Sequence, residues 1–455
     1  MSTLDRTPSP PLPGEVRPFE LPAVTRSALD NGIEILSARH GVLPVVTVAA
    51  AIDAGVIRED AAHAGLAWLT AATLDTGAGA LSGDALAYEL ESLGAELETE
   101  ATWDTLLVRM TVPSERFEPA LRLLAELLRR PTFPTAEVER LREEQRAEIL
   151  QRAKEPRALG NDMIARFVYG KESSYGRPLV GLAPSLIGLG RIEVADFHAM
   201  YFTPQRTDLI VVGDIDAARA RAAIEPLFAD WTGTKVTAEP ASAARQTDRR
   251  VIHLVHRAEA VQSEIRVSHV GVDRKHPDYF AIRVMNTILG GAFTSRLNLN
   301  LREKHGFTYG VRSSYAFRRF PGPFLISTAV SNDVTARAIE EILKEVDRLR
   351  TDGVSGDEVD NARDYLAGIL PLEIETTDQV AVRLADLAVY GLPIDYFSHY
   401  RTSIAHVSRE AVDRAARDHL DPERFTIVVV GNSTEIADPL AGLGFGEVER
   451  HDEPE

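Results

Sequence analysis

The strongest constraint on this chain is that it repeats itself. Thr203-Pro204-Gln205-Arg206 leads into Leu209-Ile210-Val211-Val212-Gly213-Asp214, and Asp421-Pro422-Glu423-Arg424 leads into Ile427-Val428-Val429-Val430-Gly431-Asn432. Pro204 and Pro422 are 218 residues apart, as are Gly213 and Gly431. The offset returns on helical faces. Ala120, Leu121, Leu124 and Leu128 follow Pro113-Ser114, and Ala338, Ile339, Ile342 and Val346 follow Ser331-Asn332. A chain of 455 residues holds two to four units at about 150 residues each. The offset makes them two homologous halves of about 220 residues, each expected to divide into two similar subdomains.

Each half opens with strand-like runs, Gly32 to Leu36 and Val45 to Ile52, then Arg250 to Val255 and Ile265 to Val270. A helical stretch, a further strand pair and long helices follow. Strands and helices do not alternate one for one, so the expectation is α+β, with mainly antiparallel sheets covered by helices. The segment plan is a Pro-rich start (1–22), an N-terminal half (23–231), a polar linker (232–250), a C-terminal half (251–446) and an acidic, frayed tail (447–455).

Several chemistries drop out. There is no cysteine, so disulfides, thiolate metal sites and cysteine nucleophiles are excluded. A net charge of −18 disfavours nucleic acid or an anionic membrane as partner. The start carries no apolar run for a secretory signal, and no window reaches a membrane span, so a cytoplasmic location is expected. The 44 Arg against 6 Lys point to a GC-rich bacterial genome. Gly290-Gly291 lacks a surrounding phosphate-loop motif. His253, His256 and Glu259 look like a ligand set, but positions three apart on a strand face opposite sides, so these three are read as surface or satisfied residues.

Two stretches carry a resemblance to the pitrilysin/insulinase zinc peptidases, the inverzincins of B type. The run Leu289-Gly290-Gly291-Ala292-Phe293-Thr294-Ser295-Arg296-Leu297, then Leu301-Arg302-Glu303-Lys304-His305-Gly306-Phe307-Thr308-Tyr309-Gly310, resembles that family's C-terminal motif. There an Arg and a Tyr seven residues apart reach the zinc of a partner half, and Arg302 and Tyr309 have that spacing. Gly306 between them reads as the break after a helix over 299–305. The second stretch, Ala64-Gly65-Leu66-Ala67-Trp68-Leu69-Thr70-Ala71-Ala72, resembles the family's zinc helix, whose pattern is H-x-x-E-H. Trp68, Ala71 and Ala72 stand at its three chemical positions. Glu148, 76 residues after Ala72, falls where the third ligand belongs. Two imidazoles and the water-activating carboxylate are missing, and one Glu alone holds no zinc usefully. Trp68 is read as filling the old metal seat and Glu148 as a structural or solvated residue.

The resemblance therefore implies a subunit that binds no metal of its own and works in a heterodimer with a homologous H-x-x-E-H subunit carrying the zinc. Arg302 would grip a substrate carbonyl, and Tyr309 would stabilise the oxyanion as the partner's zinc-bound water attacks a peptide or unfolded polypeptide. Glu98, Thr99 and Glu100 fall where the family has an edge strand that pairs with extended peptide. Glu96, Glu98 and Glu100 share one acidic strand face, read as solvated. The alternatives are an inactive scaffold or peptide-binding protein of the same fold, and a homodimer using another metal site.

Overall fold

In the computed structural model the described residues are 22–233 and 249–452. The Pro-rich start and most of the linker lie outside them. Twelve of the strands form two six-stranded sheets. The first contains β1 (Val24–Ala28), β2 (Glu34–Arg39), β3 (Val45–Ile52), β6 (Glu96–Ala101), β7 (Leu106–Pro113) and β8 (Thr207–Gly213), in the order β1-β2-β8-β3-β7-β6. A two-stranded ribbon, β4 (Gly77–Ala78) and β5 (Leu81–Ser82), stands apart. The second sheet contains β9 (Val251–His256), β10 (Gln262–Val270), β11 (Val311–Tyr315), β12 (Pro323–Ser331), β13 (Thr426–Gly431) and β14 (Glu447–His451), in the order β14-β9-β13-β10-β12-β11. Most pairings are antiparallel; β2–β8, β9–β13 and β9–β14 are parallel.

The 218-residue offset maps β2, β3, β7 and β8 onto β9, β10, β12 and β13, within a residue or two at the ends. The two halves are thus the same sheet twice. The expected two subdomains per half are not formed. The last strand of the first half, β8, inserts between β2 and β3, so one sheet spans the whole half and cannot be cut into successive units. The two sheets differ at one outer edge. There the first sheet takes β1 from upstream and the second takes β14 from downstream. The segment expected to fray after Gly446 is therefore, at 447–451, a paired edge strand.

Each half lends a helix to the other. Pro156–Tyr169 starts on Pro156, whose missing N–H costs nothing at a helix start. It lays Leu159, Met163, Ile164 and Val168 on Val255, Val428 and Val430 of the second sheet. Thr377–Tyr390 is held at its start by a capping box from Thr376 and Gln379, and ends on Gly391 at φ 57°. It covers the face of the first sheet made by Ala49, Ala51, Ile210 and Val212, and the Thr377 and Thr47 hydroxyls meet at 2.8 Å. Burying four apolar side chains at about 2 kcal/mol each makes each exchange worth roughly 8 kcal/mol before entropy. Neither sheet is covered on both faces without the other half.

A polar clasp adds direction to this interface. Buried Asp104 accepts the Tyr175 hydroxyl at 2.5 Å and the backbone N–H of Arg319 at 2.9 Å. The Arg318 guanidinium lies 3.6 Å over the Trp103 ring. Asp53 gathers Arg58, Arg206 and, from the second half, Arg319. Burial and the adjacent Asp104 carboxylate push the Tyr175 phenol upward, so it stays a donor. Asp104→Ala should lower the unfolding free energy by about 3 kcal/mol in urea titrations, since it strands two buried donors. Arg39→Ala, which removes the exposed pair with Asp214, should leave the midpoint within error.

Candidate functional site

The stretch at the zinc-helix position is a helix, Leu66–Thr73. Its start is capped from a distance. Glu59, fully buried, accepts the Gly65 and Ala67 backbone N–H groups at 3.0 Å each, where the helix end favours negative charge. Gln145, on the helix Thr135–Lys154, donates to the carbonyls of Gly65 and Val180 at 3.0 and 2.9 Å. Gly65 sits at φ 101°, and a Cβ there would meet Gln145 Nε2 at 2.8 Å and the Val180 carbonyl at 2.9 Å. The housing of this helix is therefore closely built.

Trp68, Ala71 and Ala72 line a cavity of about 500 Å³ together with Thr99, Glu100, Arg152 and Arg318. Trp68 borders this space. The three positions offer an indole and two methyl groups. Glu148 is exposed on its helix and is not part of the lining. This donor set does not fit a zinc ion. The Trp103 indole N–H, Arg152 Nε and Arg318 Nη1 are buried without a hydrogen-bond partner among the described residues, so the cavity wall keeps polar capacity.

β6 is the outer strand of its sheet, with one backbone edge unpaired. Glu96, Glu98 and Glu100 alternate outward as expected, with Thr99 half-buried between them. Glu98 is not merely solvated. It pairs with Arg109, which also pairs with Asp378 on the exchanged helix of the other half.

Arg302 lies in a π-helical turn, Asn298–Lys304, a widened geometry often found at functional positions. Gly306 at φ +63° then turns the chain. The Arg302 guanidinium lies 4.1 Å over the Phe293 ring and 3.5 Å from Glu303. Tyr309 is 98% exposed. Phe293 and Tyr309 line one cleft of about 560 Å³ with Gly290, Gly291, Arg312 and Tyr365. Gly290 is needed there for packing, because a Cβ would sit 2.7 Å from the Ser313 backbone nitrogen.

The cleft and the Trp68 cavity share no lining residue, yet both abut β10 and β12. Arg266, on β10, lines the cleft. It is 1% exposed and donates to Asn161 at 2.7 Å, to Glu264 at 2.8 Å and to the Arg157 carbonyl at 3.1 Å. Sequence reasoning missed Arg266, Asn161, Glu59 and Gln145. No short motif contains them, and the 218-residue register was the only available pointer to the helix that carries Asn161.

Burial raises the Glu59 carboxyl from 4.5 to about 7, against the opposing pull of the backbone N–H groups and Arg177. An acid with a raised folded pKa penalises the fold once the unfolded chain ionises. The penalty starts near pH 4.5 and is complete above pH 7. Between pH 5 and pH 8 the wild type should therefore lose about 2.5 kcal/mol more than Glu59→Gln in paired urea titrations.

Comparison with known proteins agrees with this geometry. Residues 35–181 match the family described as insulinase, peptidase family M16. Residues 189–366 match the peptidase M16 inactive domain. Among curated relatives, the uncharacterized zinc protease YmxG of Bacillus subtilis is 21% identical over 78% of this chain and 85% of its own length. A Helicobacter pylori protein named non-peptidase homolog YmxG is 21% identical over 90% of this chain and 94% of its own. The crystal structure of a peptidase M16 inactive domain from Pseudomonas fluorescens superposes with a TM-score of 0.84. It is 25% identical and covers 90% of this chain and 98% of that one. The chain belongs to peptidase family M16.

Proposed function

We propose that this chain is the subunit without a catalytic zinc in a heterodimeric M16 endopeptidase, cutting peptides or unfolded polypeptide segments together with an H-x-x-E-H partner. The observation that carries the reading is a pairing of loss and retention. Trp68, Ala71 and Ala72 offer no metal-ligand atom, while Tyr309 stands exposed in an open cleft and Arg302 packs on Phe293 in its wall. Zinc and the general base that activates its water belong, on this reading, to the partner. Tyr309 presents an unhindered phenol as a donor to the oxyanion. Arg302, its guanidinium resting on Phe293, holds a substrate carbonyl nearby. The free edge of β6, with Glu98, Thr99 and Glu100, offers backbone pairing to an extended peptide, which suits substrates of varied sequence.

One curated relative is the beta subunit of the mitochondrial-processing peptidase of Lentinula edodes, 23% identical over 89% of both chains. Its name describes one subunit of a larger enzyme. The relative named as a non-peptidase homolog favours the second reading, an inactive scaffold or peptide-binding protein of the same fold. In either case no helix of the described residues is long and apolar enough to cross a membrane. A cytoplasmic, bacterial setting remains part of the proposal.

Mixing the purified chain with a co-encoded H-x-x-E-H homologue should produce peptide hydrolysis that neither protein shows alone. In that mixture Arg302→Ala combined with Tyr309→Phe should lower kcat/KM by about 10²–10³, the usual worth of a donor aimed at developing charge. Activity that survives the double substitution would remove the assigned roles. A mixture that forms a complex but cleaves nothing would favour the scaffold.

A further inference from the structure

The break in the repeat at the outer edge of the second sheet brings together a second constellation. β14 pairs in parallel with β9 so that Glu449 lies opposite His253. His451, two residues on, falls on the same strand face as Glu449. The His253 Nδ1 and His451 Nε2 atoms are 3.0 Å apart, His253 Nδ1 and Glu449 Oε2 are 3.3 Å apart, and His451 Nε2 and Glu449 Oε2 are 3.9 Å apart. Four atoms bound tetrahedrally at about 2.0–2.1 Å from one ion are about 3.3–3.4 Å from each other, and the three separations bracket that value. The Phe167 ring stacks on His253 with centroids 3.7 Å apart and planes 6° apart, which fixes the imidazole.

We propose that His253 Nδ1, His451 Nε2 and Glu449 Oε2 bind one divalent transition-metal ion of the zinc class, separate from the degenerate helix at Trp68. Two imidazoles and one carboxylate suit zinc better than magnesium or calcium, which prefer oxygen alone. The ion joins the final strand to β9, beneath a ring carried by the helix that the first half lends. It is a fastening for an edge that the duplication itself does not supply. The competing account of the same 3.0 Å contact is an N–H···N hydrogen bond between neutral rings, with the carboxylate in solvent. A second cluster, His276, Asp278 and His419, is arranged differently. There Asp278 is already paired with His419 Nε2 at 2.8 Å, and His276 Nδ1 accepts the Asp278 backbone N–H at 3.2 Å. It serves as the internal control.

The test uses the untagged full chain, stripped with a chelator and titrated with Zn²⁺ by calorimetry, with bound metal counted after gel filtration. The wild type is expected to bind one equivalent, and zinc should raise its melting temperature, as any ligand of the folded state does. His451→Ala and Glu449→Gln should each weaken binding at least tenfold and lose the melting shift. Both leave buried His253 in place and so keep the core intact. His419→Ala should bind as the wild type does. No zinc binding by the wild type would overturn the proposal, as would equal binding by His451→Ala and Glu449→Gln, or a loss confined to His419→Ala. Because the readout is metal binding and not hydrolysis, its failure leaves the heterodimer proposal standing, and the reverse holds too.

Discussion

Everything in this molecule depends on the exchange of two helices. Pro156–Tyr169 closes the inner face of the second sheet, and Thr377–Tyr390 closes the inner face of the first. Each six-stranded sheet has one face covered by its own helices and the other by a helix from its twin. The apolar term there is large compared with the 5–15 kcal/mol that separates folded from unfolded proteins. The halves are therefore one folding unit despite being two copies of one plan.

That exchange also sets the chemistry. The lent helix Pro156–Tyr169 supplies Asn161 and the Arg157 carbonyl that hold Arg266; Asn161 lines the Trp68 cavity, and Arg157 and Arg266 line the Tyr309 cleft. Both spaces lie beside β10 and β12 of the second sheet. Trp68, Ala71 and Ala72 offer no metal-ligand atom, yet the helix that carries them is firmly held. Glu59, Gln145 and Gly65 still hold the helix from outside its ligand face.

Much of the fold was legible because duplication prints itself as a fixed offset. Pro204 against Pro422 predicted β8 against β13, and the helical faces of Leu121 and Ile339 followed the same register. Single-sheet halves were not legible, because the insertion of β8 between β2 and β3 is a long-range pairing with no local signature. Of the site, Arg302, Gly306 and Tyr309 were readable as a motif. The place of Glu98 was only half readable: the strand face was clear, but its ion pair with Arg109, which also binds Asp378, required knowing which helix crosses to which sheet. His253 shows the same limit. Its neighbours in sequence are not its partners. Glu449 and His451 lie nearly 200 residues away, on a strand that composition alone reads as an acidic tail.

The central claim is that substrate lies between the Tyr309 cleft of this chain and a zinc helix on another. The most direct measurement is photo-crosslinking with a peptide that carries its reactive group at the scissile position. It would be bound to the mixed complex whose partner has the motif glutamate changed to Gln. The account predicts crosslinks to Phe293 or Tyr309 of this chain and, in the same sample, to the partner's H-x-x-E-H helix. Crosslinks confined to the partner, or falling on this chain at Trp68, would contradict it.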